Sequence, residues 1–318
     1  MKNFYTLHGN ISKVRMEFIE FSREIIYLLF LIAPYSAMSS ALEELKIFIP
    51  QAIKANTENT VPLYLDAIYE ITYGNFGGDA QKELYGKSVP FETKTKIKLR
   101  SYGPKYWFRK VTTRDAKVIE NYEVTYDGNK TREVHYKKTE NISEALDQKE
   151  PSLDVTIKGR GAILTRDKLP WGFLSIHAGC QEELAEFLTK AFSKNDKIIP
   201  QWVTLQDGKK HLSVDIGNSN SLVKKIFTLD PEQSFLPNHI TINTNNLIGD
   251  VSITYKAFSV NGVHFFYPKE IVINAFYSKN NEKKQVVGAT LVFQKVDFSQ
   301  DPPKDAFSLA IIPEEPEE

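Results

Sequence analysis

Phe91-Glu92-Thr93-Lys94-Thr95-Lys96-Ile97-Lys98-Leu99-Arg100 sorts its side chains by parity. Successive residues of a strand point to opposite faces, so Glu92, Lys94, Lys96, Lys98 and Arg100 line one side while Phe91, Thr93, Thr95, Ile97 and Leu99 line the other. That is the pattern of an antiparallel sheet with one wet face and one covered face. The basic row has its simplest use as a solvated surface that discourages edge pairing, rather than as a track for an anion.

Outward from this segment the same period continues. Lys105 to Thr113, Lys117 to Tyr126 and Lys130 to Lys137 are expected to be successive strands of a meander. Three turn signals, Asp127-Gly128, Asp207-Gly208 and Asn261-Gly262, sit between β-rich runs and predict hairpins, with φ > 0 at both central residues if the turns are of type I′. Further strands are expected at Gln201 to Gln206, His211 to Ile216, Ile253 to Val260, Val263 to Tyr267, Glu270 to Tyr277, Gln285 to Val296 and Phe307 to Ile312. Between the two blocks, Asn141 to Gly161 is expected to leave the sheet, with a short helix at Ser143 to Asp147. Leu184, Phe187, Leu188, Ala191 and Phe192 then recur at i, i+3, i+4, i+7 and i+8, which is one face of a helix. Leu42, Leu45, Phe48, Ile49, Ala52 and Ile53 do the same earlier, with Pro50 expected to bend or restart that helix. The fold class is thus α+β, mainly antiparallel β, with helices covering the sheet's apolar face; a strongly curved sheet or unclosed β-barrel is what the family resemblance given below implies.

At the start, the apolar run Ile25 to Ala33, followed by Pro34 and the small-residue stretch Tyr35 to Ala41, has the form of a secretory signal. It is too short for an ordinary spanning helix, which needs about 20 apolar residues. Cleavage is expected after Ala37 or Ala41, which gives an export signal over 1–41, a single β-rich domain over 42–313 and an acidic tail over 314–318. The chain is expected to be exported, and the family resemblance given below implies the periplasm or cell envelope. Forty Lys+Arg balance forty Asp+Glu, so global charge gives no reason to favour nucleic acid. The single Cys180 leaves no internal disulfide and no cysteine-based zinc site.

Residues that could carry chemistry are scattered. His177 and Cys180 lie near a helix start that would lower a thiol pKa, but no activating partner can be named, and a small buried thiol is the simpler reading. His8, His135, His211, His239 and His264 lack metal-ligand spacing. Gly74-Asn75-Phe76-Gly77-Gly78 lacks the lysine of a phosphate loop and is expected to be an ordinary loop. No catalytic residue, cofactor or metal is expected from these patterns.

The order of elements resembles the LolA/LolB-like periplasmic lipoprotein-carrier superfamily. The resemblance is carried by an export signal leading into Leu42-Glu43-Glu44-Leu45, by Tyr126-Asp127-Gly128 in a meander, by Val296-Asp297-Phe298, and by Asp305-Ala306-Phe307-Ser308-Leu309-Ala310-Ile311-Ile312-Pro313 at the end. It implies an unclosed barrel lidded by helices around an apolar cavity that receives acyl chains. The implied partners are a lipid, an acyl chain or a lipoprotein, with an envelope protein and transient membrane contact as further possibilities. Candidate lining residues are Ile97, Leu99, Trp107, Val124 and Tyr126 from the meander, with Trp171 and Phe173 from the segment before the second helix. Core packing is the competing reading of each. A noncatalytic envelope scaffold with a filled core, and a hydrolase with dispersed acids, are the alternatives at the level of function.

Overall fold

The structure is a computed structural model that describes residues 35–60, 62–76, 90–128, 130–138, 145, 151–158, 174, 183–194, 198–206, 208–217, 223–244, 246–279, 282–304 and 306–307. Helix α1 is Tyr35–Glu58 and helix α2 is Leu184–Lys194. The strands are β1 (Tyr64–Asn75), β2 (Phe91–Tyr102), β3 (Lys105–Arg114), β4 (Lys117–Tyr126), β5 (Lys130–Tyr136), β6 (Pro151–Lys158), β7 (Gln201–Thr204), β8 (Lys210–Ile216), β9 (Val223–Asp230), β10 (Leu236–Thr244), β11 (Leu247–Val260), β12 (Val263–Lys279) and β13 (Glu282–Ser299). Their hydrogen-bonded order is β6-β5-β4-β3-β2-β1-β13-β12-β11-β10-β9-β8-β7. Two sequential runs of strands therefore meet where β1 pairs with β13, and β6 and β7 are the edges. The antiparallel meander expected from the sequence is present.

The chain divides into two compact units, one of Met1–Thr60, Ser175–Asn245 and Tyr255–Tyr267, the other of Val61–Leu174, Asn246–Thr254 and Pro268–Glu318. In the first unit, apolar residues align across the register: Val214 faces Phe227, which faces Ile240, and Leu212 faces Leu229. All five are fully buried. Helix α1 buries Leu45, Ile49, Ala52 and Ile53, and α2 buries Leu184, Ala185, Leu188 and Phe192. Phe187 of α2 reaches Phe227 at 5.8 Å between ring centroids, and Phe48 of α1 meets Phe235 edge-on at 5.6 Å. Helices thus cover this part of the sheet. Helix α1 runs unbroken through Pro50 and starts at Tyr35, ahead of the expected Leu42. The small-residue stretch Tyr35 to Ala41 is helical, while the apolar run Ile25 to Ala33 lies outside the described residues.

Asn56, near the end of α1, is 3% exposed and clamps a strand. Its Nδ2 donates to the carbonyl of Phe266 at 2.9 Å, and its Oδ1 accepts from the Phe266 N–H at 2.8 Å. The register of β12 with β13 runs from Glu270↔Val292 to Lys279↔Glu282, so Phe266 precedes that pairing. Pro268, two residues on, faces the same edge as Phe266 and supplies no N–H there. The sequence reading expects two strands here, Val263 to Tyr267 and Glu270 to Tyr277, where the structure has one. The single strand tolerates Pro268 because the missing donor falls where no ladder bond to β13 is made.

In the second unit, the burial of β2 alternates as its sequence does. Strands β2 and β3 turn at Gly103-Pro104, with Gly103 at φ +53°. Strands β3 and β4 turn at Asp115-Ala116, where both residues have positive φ, 50° and 61°. This tight turn carries no Asn-Gly or Asp-Gly signal, but it falls in the gap the sequence leaves between the expected strands ending at Thr113 and starting at Lys117. An alanine in the left-handed region is strained by about 1–2 kcal/mol. Ala116→Gly is accordingly expected to raise stability by about 1 kcal/mol after the entropic cost of glycine, measured by chemical denaturation.

Of the expected type I′ hairpins, Asn261-Gly262 fits, with φ 54° and 78°. At Asp127-Gly128 only the glycine has positive φ, and Tyr126 pairs with Thr131 across a longer loop. The expected excursion over 141–161 is corrected in its second half: Pro151–Lys158 forms the edge strand β6, its proline in the first position where no ladder donor is needed. In its first half, Ala145 is helical and lies against Val111 and Val118. Its carbonyl accepts from Arg109 Nη2 at 2.7 Å and from Asn121 Nδ2 at 3.2 Å. Gly74 and Asn75 belong to β1 rather than to a loop. Gly74 faces Gly288 across β1 and β13, and the Phe76 ring lies over both, so that a Cβ at Gly288 would stand 3.1 Å from that ring. The expected final strand from Phe307 is corrected in part: Phe307 stands in a turn, edge-on to Tyr64 at 6.1 Å.

Candidate functional site

The second unit brings four of the sequence-derived lining residues, Ile97, Leu99, Val124 and Tyr126, to one wall. Directly paired residues of an antiparallel sheet share a face. Leu99 pairs with Phe108, which pairs with Val124. Ser101 pairs with Tyr106, and Tyr106 with Tyr126. Ile97 lies on the same face and pairs with Tyr69 of β1, as Leu99 does with Ala67. The wall continues across β13 and β12 through Leu291 and Ile271. Ile97 is 3% exposed and Leu99 1%, and Phe108, Val124 and Tyr126 are buried beside them.

Trp107 stands on the opposite face. It pairs with Arg100 and Thr125, and the Arg100 guanidinium lies over its ring at 4.9 Å. That face also carries Lys96, Lys98, Asp66 and Glu70, the solvated row expected from the sequence, with Lys295 bridging Asp297 at 2.8 Å. Trp171 and Phe173 lie outside the described residues, as do His177 and Cys180.

The wall changes character along its strands. Past Ile97 it ends in charge. Thr95 and Thr112 share a hydrogen bond of 3.1 Å, Thr112 donates to Glu120 at 2.8 Å, and Lys110 reaches the same carboxylate oxygen at 2.7 Å. Burial works to raise the Glu120 pKa, but its hydrogen bonds to Lys110 and Thr112, with the Lys110 charge, prevail and hold it below the ordinary value. Tyr122 stacks on His135 at 5.8 Å, and His135 Nε2 meets Glu133 at 2.8 Å. Burial raises the Tyr122 pKa, so the phenol stays protonated.

Past Leu99 the wall ends in uncharged hydroxyls. Ser101 is 0% exposed and Tyr106 2%, and among the described residues Ser101 Oγ has no hydrogen-bond partner. Tyr106 is stacked between Tyr126, at 5.4 Å, and Phe108, at 6.3 Å. Desolvation pushes its pKa up to about 12, with a hydrogen bond to the Thr131 side chain acting in the opposite sense. Tyr126 OH is engaged, donating to the Gly128 carbonyl at 2.7 Å. Sequence reading missed Ser101 and Tyr106 as a pair, although their register follows from the two-residue Gly103-Pro104 turn.

Among the described residues there is no cluster of three His, Cys, Asp or Glu side chains fit to hold a metal, and no helix long and apolar enough to cross a membrane. No protein-family model and no curated protein matches the chain. A solved structure, described as a crystal structure of MucB in complex with MucA(peri), aligns over 81% of this chain and 94% of its own at 8% identity. Its TM-score of 0.13 carries no argument about fold or function.

Proposed function

We propose that this chain is an exported, noncatalytic carrier of the cell envelope that takes up a lipid, an acyl chain or a lipoprotein against the Leu99 wall. In this reading the second unit is a curved, unclosed half-barrel of the LolA/LolB-like kind, and a membrane or envelope partner hands over the ligand. The observation that carries the reading is the contiguous apolar wall of Ile97, Leu99, Phe108 and Val124, set on the face opposite the charged row and ending at the buried Ser101 hydroxyl, which has no partner among the described residues. A packed core gains nothing from leaving polar atoms unsatisfied, since each costs about 1–3 kcal/mol. A wall that receives a ligand gains about 0.8 kcal/mol for every acyl methylene it takes from water.

The second reading, a scaffold with a filled core, is favoured by the burial of Ile97 and Leu99, which leaves little free surface beside them. A carrier must then open to load. Titration of delipidated protein with a fluorescent fatty acid or lipopeptide separates the two: saturable binding with a stoichiometry near one is expected of the carrier, and no saturable binding is the result for the scaffold. N-terminal sequencing of the natural protein tests export, with processing expected near Ala37 or Ala41.

A further inference from the structure

The two edges of the sheet differ in what their sequences allow to pair with them. Strand β6, Pro151–Lys158, opens on a proline and carries Asp154 and Lys158, residue types that discourage a further strand from adding to an edge. Strand β7, Gln201–Thr204, carries none of them. It lies in the run Ile198 to Gln206, nine residues without a charge, bounded by Lys197 and Asp207. Gln201, Thr204 and Leu205 are exposed, and Ile199 is 50% exposed. Register decides which backbone groups face outward. The Leu205 N–H donates to the Lys209 carbonyl at 2.9 Å, and Thr204 is opposite Lys210. Hydrogen-bonded pairs alternate along an antiparallel ladder, so Val203 bonds to His211 while the N–H and C=O of Thr204 point away from β8.

We infer that β7 pairs antiparallel with β7 of a second copy of this chain, across a two-fold axis at Thr204, to form a weak, reversible dimer. The dimer forms whether or not the chain carries a lipid. With the axis there, the Thr204 N–H of each copy donates to the Thr204 carbonyl of the other, and Val203 of one copy stands opposite the exposed Leu205 of its partner. Such pairing sets Thr204 against its own mate and Val203 and Leu205 within two positions of theirs, so a charge on this strand would meet its like. An uncharged run is what two-fold pairing requires, and a charged partner would find nothing complementary in it. The contact closes on itself because each copy has one β7. A β6-to-β7 contact would instead propagate from copy to copy, and Pro151, Asp154 and Lys158 oppose it. Pro200, just ahead of the strand, keeps the paired stretch short, and a contact that small makes the dimer weak.

The test is sedimentation velocity of the full chain from low micromolar to millimolar concentration, with Thr204→Pro, Thr204→Lys and Thr204→Glu beside the wild type. The wild type is expected to pass from monomer to dimer. Thr204→Pro removes the outward N–H and none that β8 uses, so it should weaken the dimer roughly tenfold or more. Thr204→Lys and Thr204→Glu should each weaken it comparably, because like charges then meet at the axis, and an equimolar mixture of the two should restore association by setting opposite charges against each other. Thr204 is exposed, so the lysine and glutamate variants should keep the wild-type thermal midpoint. A wild-type chain that stays monomeric throughout overturns the inference and leaves this edge to a strand of a different protein. A dimer that all three substitutions leave intact overturns it too, as does a mixture that associates no better than its components.

Discussion

Ile97→Asp is expected to lower the stability of the second unit by more than about 4 kcal/mol, because it combines loss of apolar burial with an unpaired charge in a dry environment. Ile97 is 3% exposed and lies between Tyr69 on β1 and Lys110 on β3. Lys110 cannot rescue the new carboxylate cheaply, since its ammonium is committed to Glu120 at 2.7 Å and lies over the Tyr122 ring at 5.6 Å. The control is the neighbouring residue. Lys96 points to the other face, opposite Glu70, and Lys96→Gln should change stability by no more than about 0.5 kcal/mol. Urea unfolding of both variants reads the difference. Similar small losses in the two would mean that the Leu99 wall is not a buried layer, and the carrier and filled-core readings would both fall.

That contrast between adjacent residues was legible in the sequence because β2 uses distinct residue classes on its two faces. Its neighbour β3 is less explicit. Tyr106-Trp107-Phe108 is a run of aromatics, and composition cannot say which parity faces the wall. The Gly103-Pro104 turn decides it by pairing Tyr102 with Lys105, which places Trp107 opposite Arg100 and Phe108 opposite Leu99. Choosing Trp107 as a lining residue favoured size over register. Ser101 escaped notice for a related reason: a serine just before a Gly-Pro turn looks like turn chemistry, and its burial depends on strands β1 and β3 on either side.

Strands β9 and β10 were missed as elements although Ile226-Phe227-Thr228-Leu229 and His239-Ile240-Thr241-Ile242 are β-rich. The segment joining them is irregular. Pro231–Gln233 forms a single 3-10 turn, capped by Asp230 accepting from the Glu232 N–H at 2.8 Å. Ser234 and Phe235 both follow with positive φ. A β-bulge at Asn238 then shifts the register between Pro237 and His239 and lets the Asn238 side chain meet His211 Nδ1 at 3.0 Å. None of this has a two-residue hairpin signature, so pattern reading found no turn to place strands around.

Asn56 had no signal at all, since an asparagine on a helix is ordinarily a surface residue or a cap. Its substitution is expected to have the second large effect. Asn56→Leu keeps the side-chain volume close to that of the amide but removes both partners of Phe266 at once, leaving a strand N–H and a carbonyl without their bonds. At about 1–2 kcal/mol for each partly buried group, the loss should be about 2–4 kcal/mol. Asn56→Asp separates the two bonds, because a carboxylate can still accept from the Phe266 N–H at the Oδ1 position but cannot donate to its carbonyl. Amide hydrogen exchange supplies a readout specific to the clamp: Phe266 should lose protection in Asn56→Leu and retain more of it in Asn56→Asp. Unchanged Phe266 protection in Asn56→Leu would show that the strand edge is held by something other than Asn56. The proline two residues on makes that outcome costly to explain, because Pro268 can donate nothing to this edge and Asn56 is the group observed to bond it.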